Sequence, residues 1–197
     1  MRTKIIKIKG DWEEVVNDCR ATVGKEALGK EPSREFKRNI LISEHSPIRD
    51  ISIKWMWDSI KTWVATHWVR HKWECFVKTQ RPDRTGVERG GPDAPVTFTG
   101  DANAQALIDT LRKRLCYQAS SETRQYAEDL KAAIKEVEPE LSDVLVPNCI
   151  YRCGCPEKGI SVEKCEWFDK MVKKHPDFAS TDIQARYDAY NKFFYGE

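Results

Sequence analysis

Thr66-His67-Trp68-Val69-Arg70-His71-Lys72-Trp73-Glu74-Cys75-Phe76-Val77-Lys78-Thr79-Gln80-Arg81 places two kinds of order side by side. Its first part continues a helical spacing through Trp63, Val64, His67 and Arg70. Its second part, Cys75, Val77 and Thr79, alternates as a strand does. The run reads as a helix-to-strand junction in a mixed α/β (α+β) chain. Arg70, Lys72, Lys78 and Arg81 crowd that junction, beside Glu74 and Thr79. A core element cannot bury so many charges unless each finds a partner or a ligand. Arginine offers a planar fork of donors that suits phosphate. Junctions of this kind also gather backbone donors and side chains around one ligand. The expectation is a pocket for a phosphorylated, planar molecule.

Upstream, Ile51, Ile53, Trp55 and Trp57 alternate with polar or flexible neighbours, the pattern of a strand with one apolar face. Asp58 is expected to cap the helix that runs on to Arg70. Nearer the start, Thr3 to Lys9 reads as a strand. Asp11 and Glu14 open a helix that continues through Val23, and Ser33 caps another from Arg34 to Ile42. Downstream, Pro82 to Pro95 is a Gly-, Pro- and Asp-rich loop. From Asp101 or Asn103, one apolar stripe runs Leu107, Leu111, Leu115, Ala119, Thr123, Tyr126, Leu130, Ile134 and Val137, ending at Pro139. It predicts a single long core helix. Two short helical pieces, Glu163 to Lys174 and Thr181 to Phe194, close the chain. The expected architecture is one domain over residues 1–197. A small mixed or antiparallel sheet is packed by helices, with a Cys-rich loop at 149–165 and a C-terminal extension at 166–197.

Composition narrows the function. The 197 residues suit one sizeable core. Lys+Arg total 33 against 31 Asp+Glu, without the basic excess of a dedicated DNA-binding protein. No apolar run approaches the ~18 residues of a membrane span. The N-terminus lacks the apolar region of a signal peptide. Seven cysteines in a chain that is not small and loop-rich read as reduced thiols of a cytoplasmic protein. Cys149-x3-Cys153-x-Cys155-x9-Cys165 nevertheless gathers four thiols in 17 residues. Structural zinc takes four thiolates or imidazoles. Cys116, Cys149, Cys155 and Cys165 form the candidate zinc set, and separate reduced cysteines are the alternative. Cys75 reads as a small buried thiol rather than a nucleophile.

Four blocks together resemble the flavin-dependent thymidylate synthases, in a compact form of phage type. Arg70-His71-Lys72 followed by Thr79-Gln80-Arg81 is similar to that family's Arg-His-Arg and Ser-x-Arg, with lysine in place of the last arginine of the triplet. Glu44-His45 resembles its Glu-His ahead of the first core strand. Asn103-Ala104-Gln105-Ala106-Leu107 resembles its Asn-Ala-Arg helix start. Arg114-Leu115-Cys116-Tyr117-Gln118-Ala119-Ser120-Ser121-Glu122 resembles its Arg-x-Cys-x-x-Ala-Gln-Trp-Glu segment. The blocks keep the family's order over roughly residues 3 to 157.

The resemblance implies a homotetramer with active sites shared between subunits, in a bacterial or phage-infected host cytoplasm. It implies FAD, with methylenetetrahydrofolate and NADPH as co-substrates, in the conversion of dUMP to dTMP. His45, Arg70, Lys72, Asn103 and Asp109 would then serve the flavin. His67, Arg70, Thr79, Gln80 and Arg81 would hold the nucleotide, with Thr79 and Arg81 on its phosphate. Arg114 would be the catalytic arginine, facing the uracil edge and stabilising negative charge there. Two alternatives stand beside this. One is a related modification such as hydroxymethylation of dUMP or dCMP; the other is a non-catalytic nucleotide-binding relative.

Overall fold

The computed structural model describes residues 2–157 and 165–196. In chain order the elements are β1 (Thr3–Lys9), α1 (Trp12–Ala21), α2 (Arg34–Ile42), β2 (Ser52–Lys61), α3 (Thr62–Trp68), β3 (Glu74–Val77), α4 (Pro82–Thr85) and β4 (Pro95–Asn103). There follow α5 (Ala104–Arg114), α6 (Ser121–Lys135), α7 (Pro139–Val144), α8 (Asn148–Tyr151), α9 (Trp167–Lys174) and α10 (Ile183–Tyr195). Short 3-10 turns lie at Ser46–Asp50 and Pro176–Ala179. The sequence expects one domain; the chain forms two compact units, Met1–Pro32 with Ser46–Ala106, and Ser33–His45 with Leu107–Glu197. Among the described residues no helix is long and apolar enough to cross a membrane.

The first unit is built on a four-stranded sheet of order β1-β2-β4-β3, antiparallel at each pairing. The alternation in β2 buries Ile53, Trp55 and Trp57, and that in β4 buries Val96, Phe98, Gly100 and Ala102. Helix α3 packs on β2 and β4 and buries Val64, Ala65 and Trp68. The core is dominated by indoles. Trp55 meets Trp57 edge-on at 5.7 Å, Trp57 meets Trp68 at 4.9 Å, and Trp68 stacks on Trp73 at 5.9 Å. Gly100 sits opposite Trp55 in the register. A Cβ there would stand 2.3 Å from the Trp55 ring, so only glycine lets β4 approach. Helix α1 starts as its sequence indicates, with the Asp11 side chain accepting from the Glu14 amide at 2.8 Å.

Two points depart from the sequence reading. Asp58 does not cap a helix: β2 continues to Lys61 through an irregularity between Trp57 and Ile60. Helix α3 begins only at Thr62, whose amide and hydroxyl both donate to the Ala94 carbonyl. That anchor comes from the approach of β4, a partner distant in sequence. Strand β4 itself was not anticipated. Its Val96, Phe98 and Ala102 alternate cleanly, but Pro95 and Gly100 disguise the run as loop.

The single long core helix is also corrected. Helix α5 ends at Arg114, and α6 starts at Ser121 with Ser120 as its cap, the hydroxyl accepting from the Thr123 amide at 3.4 Å. Leu115 stays buried inside the break, so the apolar stripe runs on where the helix does not. Three cations, Arg112, Lys113 and Arg114, occupy the last turn of α5, where they suit the negative end of its dipole.

The second unit is helical. Helices α2 and α6 pack on α7, and α10 packs on α7, α8 and the Pro176–Ala179 turn. Arg186 ties three segments together, donating to the carbonyls of Ile150 at 2.9 Å, Tyr151 at 3.0 Å and Ser180 at 2.6 Å. Helices α9 and α10 match the two closing helical pieces of the sequence reading. Positions 163 and 164 of the first piece, and part of the Cys-rich loop, lie outside the described residues.

Candidate functional site

In the first unit the basic residues follow α3. Arg70 and Lys72 are exposed in the turn to β3, and among the described residues neither has an acidic partner. The His71 ring lies 5.2 Å from Trp73 and 6.3 Å from Trp68. Trp73 closes the turn by donating its indole N–H to the Trp68 carbonyl at 2.9 Å. His67, half-buried, meets the Trp63 ring edge-on at 5.5 Å.

Thr79 to Arg81 lie just beyond β3 rather than on it. The Gln80 amide donates to the Thr62 hydroxyl at 2.9 Å. This bond ties the Thr79–Arg81 segment to the first turn of α3, the helix whose far end, about 10 Å away, leads to Arg70. Gln80 is thus a positioning residue in this state. Arg81 is exposed and makes a two-pronged contact with Asp83, Nε to Oδ1 at 3.1 Å and Nη2 to Oδ2 at 2.7 Å. The same fork geometry suits a phosphate, so Asp83 occupies Arg81 as a phosphate would. The Thr79 hydroxyl accepts from the Arg81 amide at 3.3 Å. Asn103 ends β4, and its side-chain oxygen accepts from Ala106 N at 2.9 Å to start α5. Burial pushes the half-buried Cys75 thiol up, which keeps it protonated and disfavours a nucleophilic role.

In the second unit Arg114 lines a cavity of about 420 Å³. Cys116, Cys149, Cys155 and Cys165 line the same cavity, as does Trp167. The structure thus brings together all four cysteines of the candidate metal set. Burial, and after it the neighbouring Cys116, Cys165 and Cys155, push the Cys149 thiol up to about 12. Among the described residues no three His, Cys, Asp or Glu side chains stand at the spacing of a metal's ligands. Tyr117, also on the cavity wall, stacks on Trp167 at 4.4 Å and carries the Arg124 guanidinium 4.2 Å above its ring. His45 is exposed beyond α2, and Asp109 is exposed on α5, 3.8 Å from Arg112.

Two buried cations besides Arg186 have no role in the sequence reading. Arg112 pairs with Glu44 and lies 3.6 Å over the Tyr151 ring. Burial works against its charge, but the Glu44 carboxylate outweighs it and holds Arg112 above its usual value. Lys131, fully buried on α6, donates to the Ser142 carbonyl at 2.6 Å and to the Asn191 side-chain oxygen at 2.7 Å. Both sit on apolar helix faces, where only tertiary partners make a charge tolerable.

No protein-family model and no curated protein matches the chain. Solved structures do. The UMP/dUMP methylase PolB from Streptomyces cacaoi bound with 5-Br dUMP aligns with a TM-score of 0.59 at 14% identity, over 72% of this chain and 93% of that one. The same methylase bound with 5-Br UMP aligns with a TM-score of 0.55, also at 14% identity, over 72% and 92%. At that identity the likeness is one of fold.

Proposed function

We propose that the chain is a nucleotide-methylating enzyme, and specifically one that converts dUMP to dTMP with FAD, methylenetetrahydrofolate and NADPH. The observation that carries this reading is an uncompensated basic turn on a fold similar to that of a UMP/dUMP methylase. Between Arg70 and Arg89 there are six Lys or Arg residues and three carboxylates. Arg70 and Lys72 are exposed without acidic partners among the described residues. Such cations suit an anionic ligand, and the His67–Trp63 pair offers ring surface nearby for a planar one.

Arg70 and Lys72, two exposed cations of the first unit, would hold the phosphates of a flavin nucleotide. Bound, reduced FAD would supply the hydride that completes the methyl group. Arg81 would release Asp83 and take the dUMP phosphate in the same fork, with Thr79 beside it. Arg114 would place a fixed positive charge against the uracil edge and stabilise negative charge as C5 becomes nucleophilic. A homotetramer is part of this reading.

The test is the visible spectrum of the purified protein with FAD, titrated with dUMP, together with its mass by light scattering. Flavin bands that shift on adding dUMP, in a tetramer, are expected, and mass spectrometry of the turnover product should then find dTMP. Binding of dUMP without flavin would replace the enzyme by a nucleotide-binding protein. Binding of neither would overturn the reading.

A further inference from the structure

The four cavity cysteines come from separate stretches of the second unit. Cys116 follows the end of α5, Cys149 lies on α8, Cys155 is in the loop after it, and Cys165 stands just ahead of α9. All four are free thiols, and all four face one cavity of about 420 Å³. The loop is bent so as to select among its cysteines. The Gly154 amide donates back to the Cys149 carbonyl at 2.9 Å, and Cys153 takes a left-handed backbone with φ 54°. This reversal returns Cys155 to the cavity that Cys149 lines. It turns Cys153 away: that thiol is exposed and donates to the Ala179 carbonyl at 3.5 Å. Cys19 and Cys75 belong to the other unit. The fold has therefore sorted seven cysteines into four that converge and three that do not.

We propose that Cys116, Cys149, Cys155 and Cys165 bind one zinc ion as a tetrathiolate. Zinc takes four sulfurs at about 2.3 Å in a tetrahedron, which requires neighbouring sulfurs about 3.8 Å apart. The thiols ring the cavity at wider spacing than that, with no three at ligand distance among the described residues. Binding draws them inward, and each thiol gives up its proton to solvent as its sulfur bonds to the metal. The donor set is all sulfur, which favours a thiophilic cation over calcium or magnesium. The ion would pin three segments to one point: the end of α5, the α8 loop and the start of α9. Arg114 lies two residues before Cys116, and Trp167 two residues after Cys165. Its role is thus to fix the wall that carries Arg114. The proposal stands on the second unit alone and holds whether or not the chain methylates a nucleotide.

The test is elemental analysis of the full-length protein purified without chelator, and again after addition of zinc. About one zinc per chain is expected, with four of the seven thiols protected from a thiol reagent until a mercurial releases the metal. Cys116→Ser and Cys149→Ser should each lose the zinc, whereas Cys153→Ser should keep it. Replacing zinc with cobalt gives a readout that does not depend on those variants folding. Tetrahedral d–d bands with thiolate-to-cobalt charge transfer are expected. No retained zinc and no cobalt spectrum would overturn the proposal. Loss of zinc from Cys153→Ser equal to that from Cys149→Ser would overturn the ligand set.

Discussion

Arg81 shows how one side chain is held ready without being satisfied by the core. Its contact with Asp83 is exposed on both sides, so it contributes little to stability. A phosphate bound as proposed would have to displace it. Asp83→Asn removes the competing charge and should tighten dUMP binding by a few-fold, within the ~1 kcal/mol of an exposed pair. Arg81→Ala removes a charge-assisted contact of about 1.5–3 kcal/mol and should weaken binding by about 10- to 100-fold, leaving flavin binding nearly unchanged. Isothermal titration of both variants checks the pair. Equal affinities in all three proteins would move the phosphate away from Arg81. The residue types of this region were legible in sequence because charge is written in the letters. That Asp83 rather than Glu88 takes the fork was not, since it depends on where α4 places each carboxylate.

Among the elements, the pairing of β2 with β4 carries the first unit. Five aromatic rings, those of Trp55, Trp57, Trp68, Trp73 and Phe98, pack around it. Gly100 is the point where the two strands must come closest. Gly100→Ala puts a methyl 2.3 Å from the Trp55 ring, and a buried indole cannot move aside freely. The expected cost is about 1–3 kcal/mol, read as a drop of several degrees in Tm by calorimetry. An unchanged Tm would mean that Trp55 has room to shift. Strand β2 was readable from alternation, and α1 and α2 from their caps. Strand β4 was not, because glycine and proline are local signals of turn, whereas the need for glycine at position 100 arises from a ring 45 residues earlier in the chain. The break between α5 and α6 was missed for the opposite reason: the apolar period continued across it.

For the whole molecule, charge balance leaves buried ionisable groups to set the response to pH. Lys131 is the main one. Burial lowers it from the usual lysine value to about 7, with Asp143 pulling the other way and Lys135 adding to the fall. The carbonyl oxygen of Ser142, the Asn191 side-chain oxygen and the rings of Tyr190, Phe194 and Tyr195, at 5.2 to 5.8 Å, also favour the ammonium. An unfolded lysine titrates near ~10.4, so between about 7 and that value unfolding takes up a proton. Stability from this group is therefore greatest above ~10.4 and is lost as pH falls through about 7. The half-buried thiols of Cys116 and Cys149 are raised and act in the opposite sense. The difference between wild type and Lys131→Met isolates the lysine. In thermal melts the wild type should gain on the variant as pH rises from 7 to 9.5. Parallel curves would mean that Lys131 stays charged when folded.

By itself the sequence determined what local rules can carry. Caps and periodicity specified α1, α2 and most of β2, and the residue chemistry marked the Arg70–Arg81 and cysteine-rich stretches. Tertiary structure decided the rest, because each remaining fact is a meeting of residues far apart in the chain. The approach of Ala94 sets where α3 begins, Trp55 demands glycine at position 100, and Glu44 makes a buried Arg112 tolerable. A turn at Gly154 chooses Cys155 over Cys153 for the cavity beside Arg114. Side-chain periodicity records which face of an element is apolar, but it holds no information on which distant partner will cover that face.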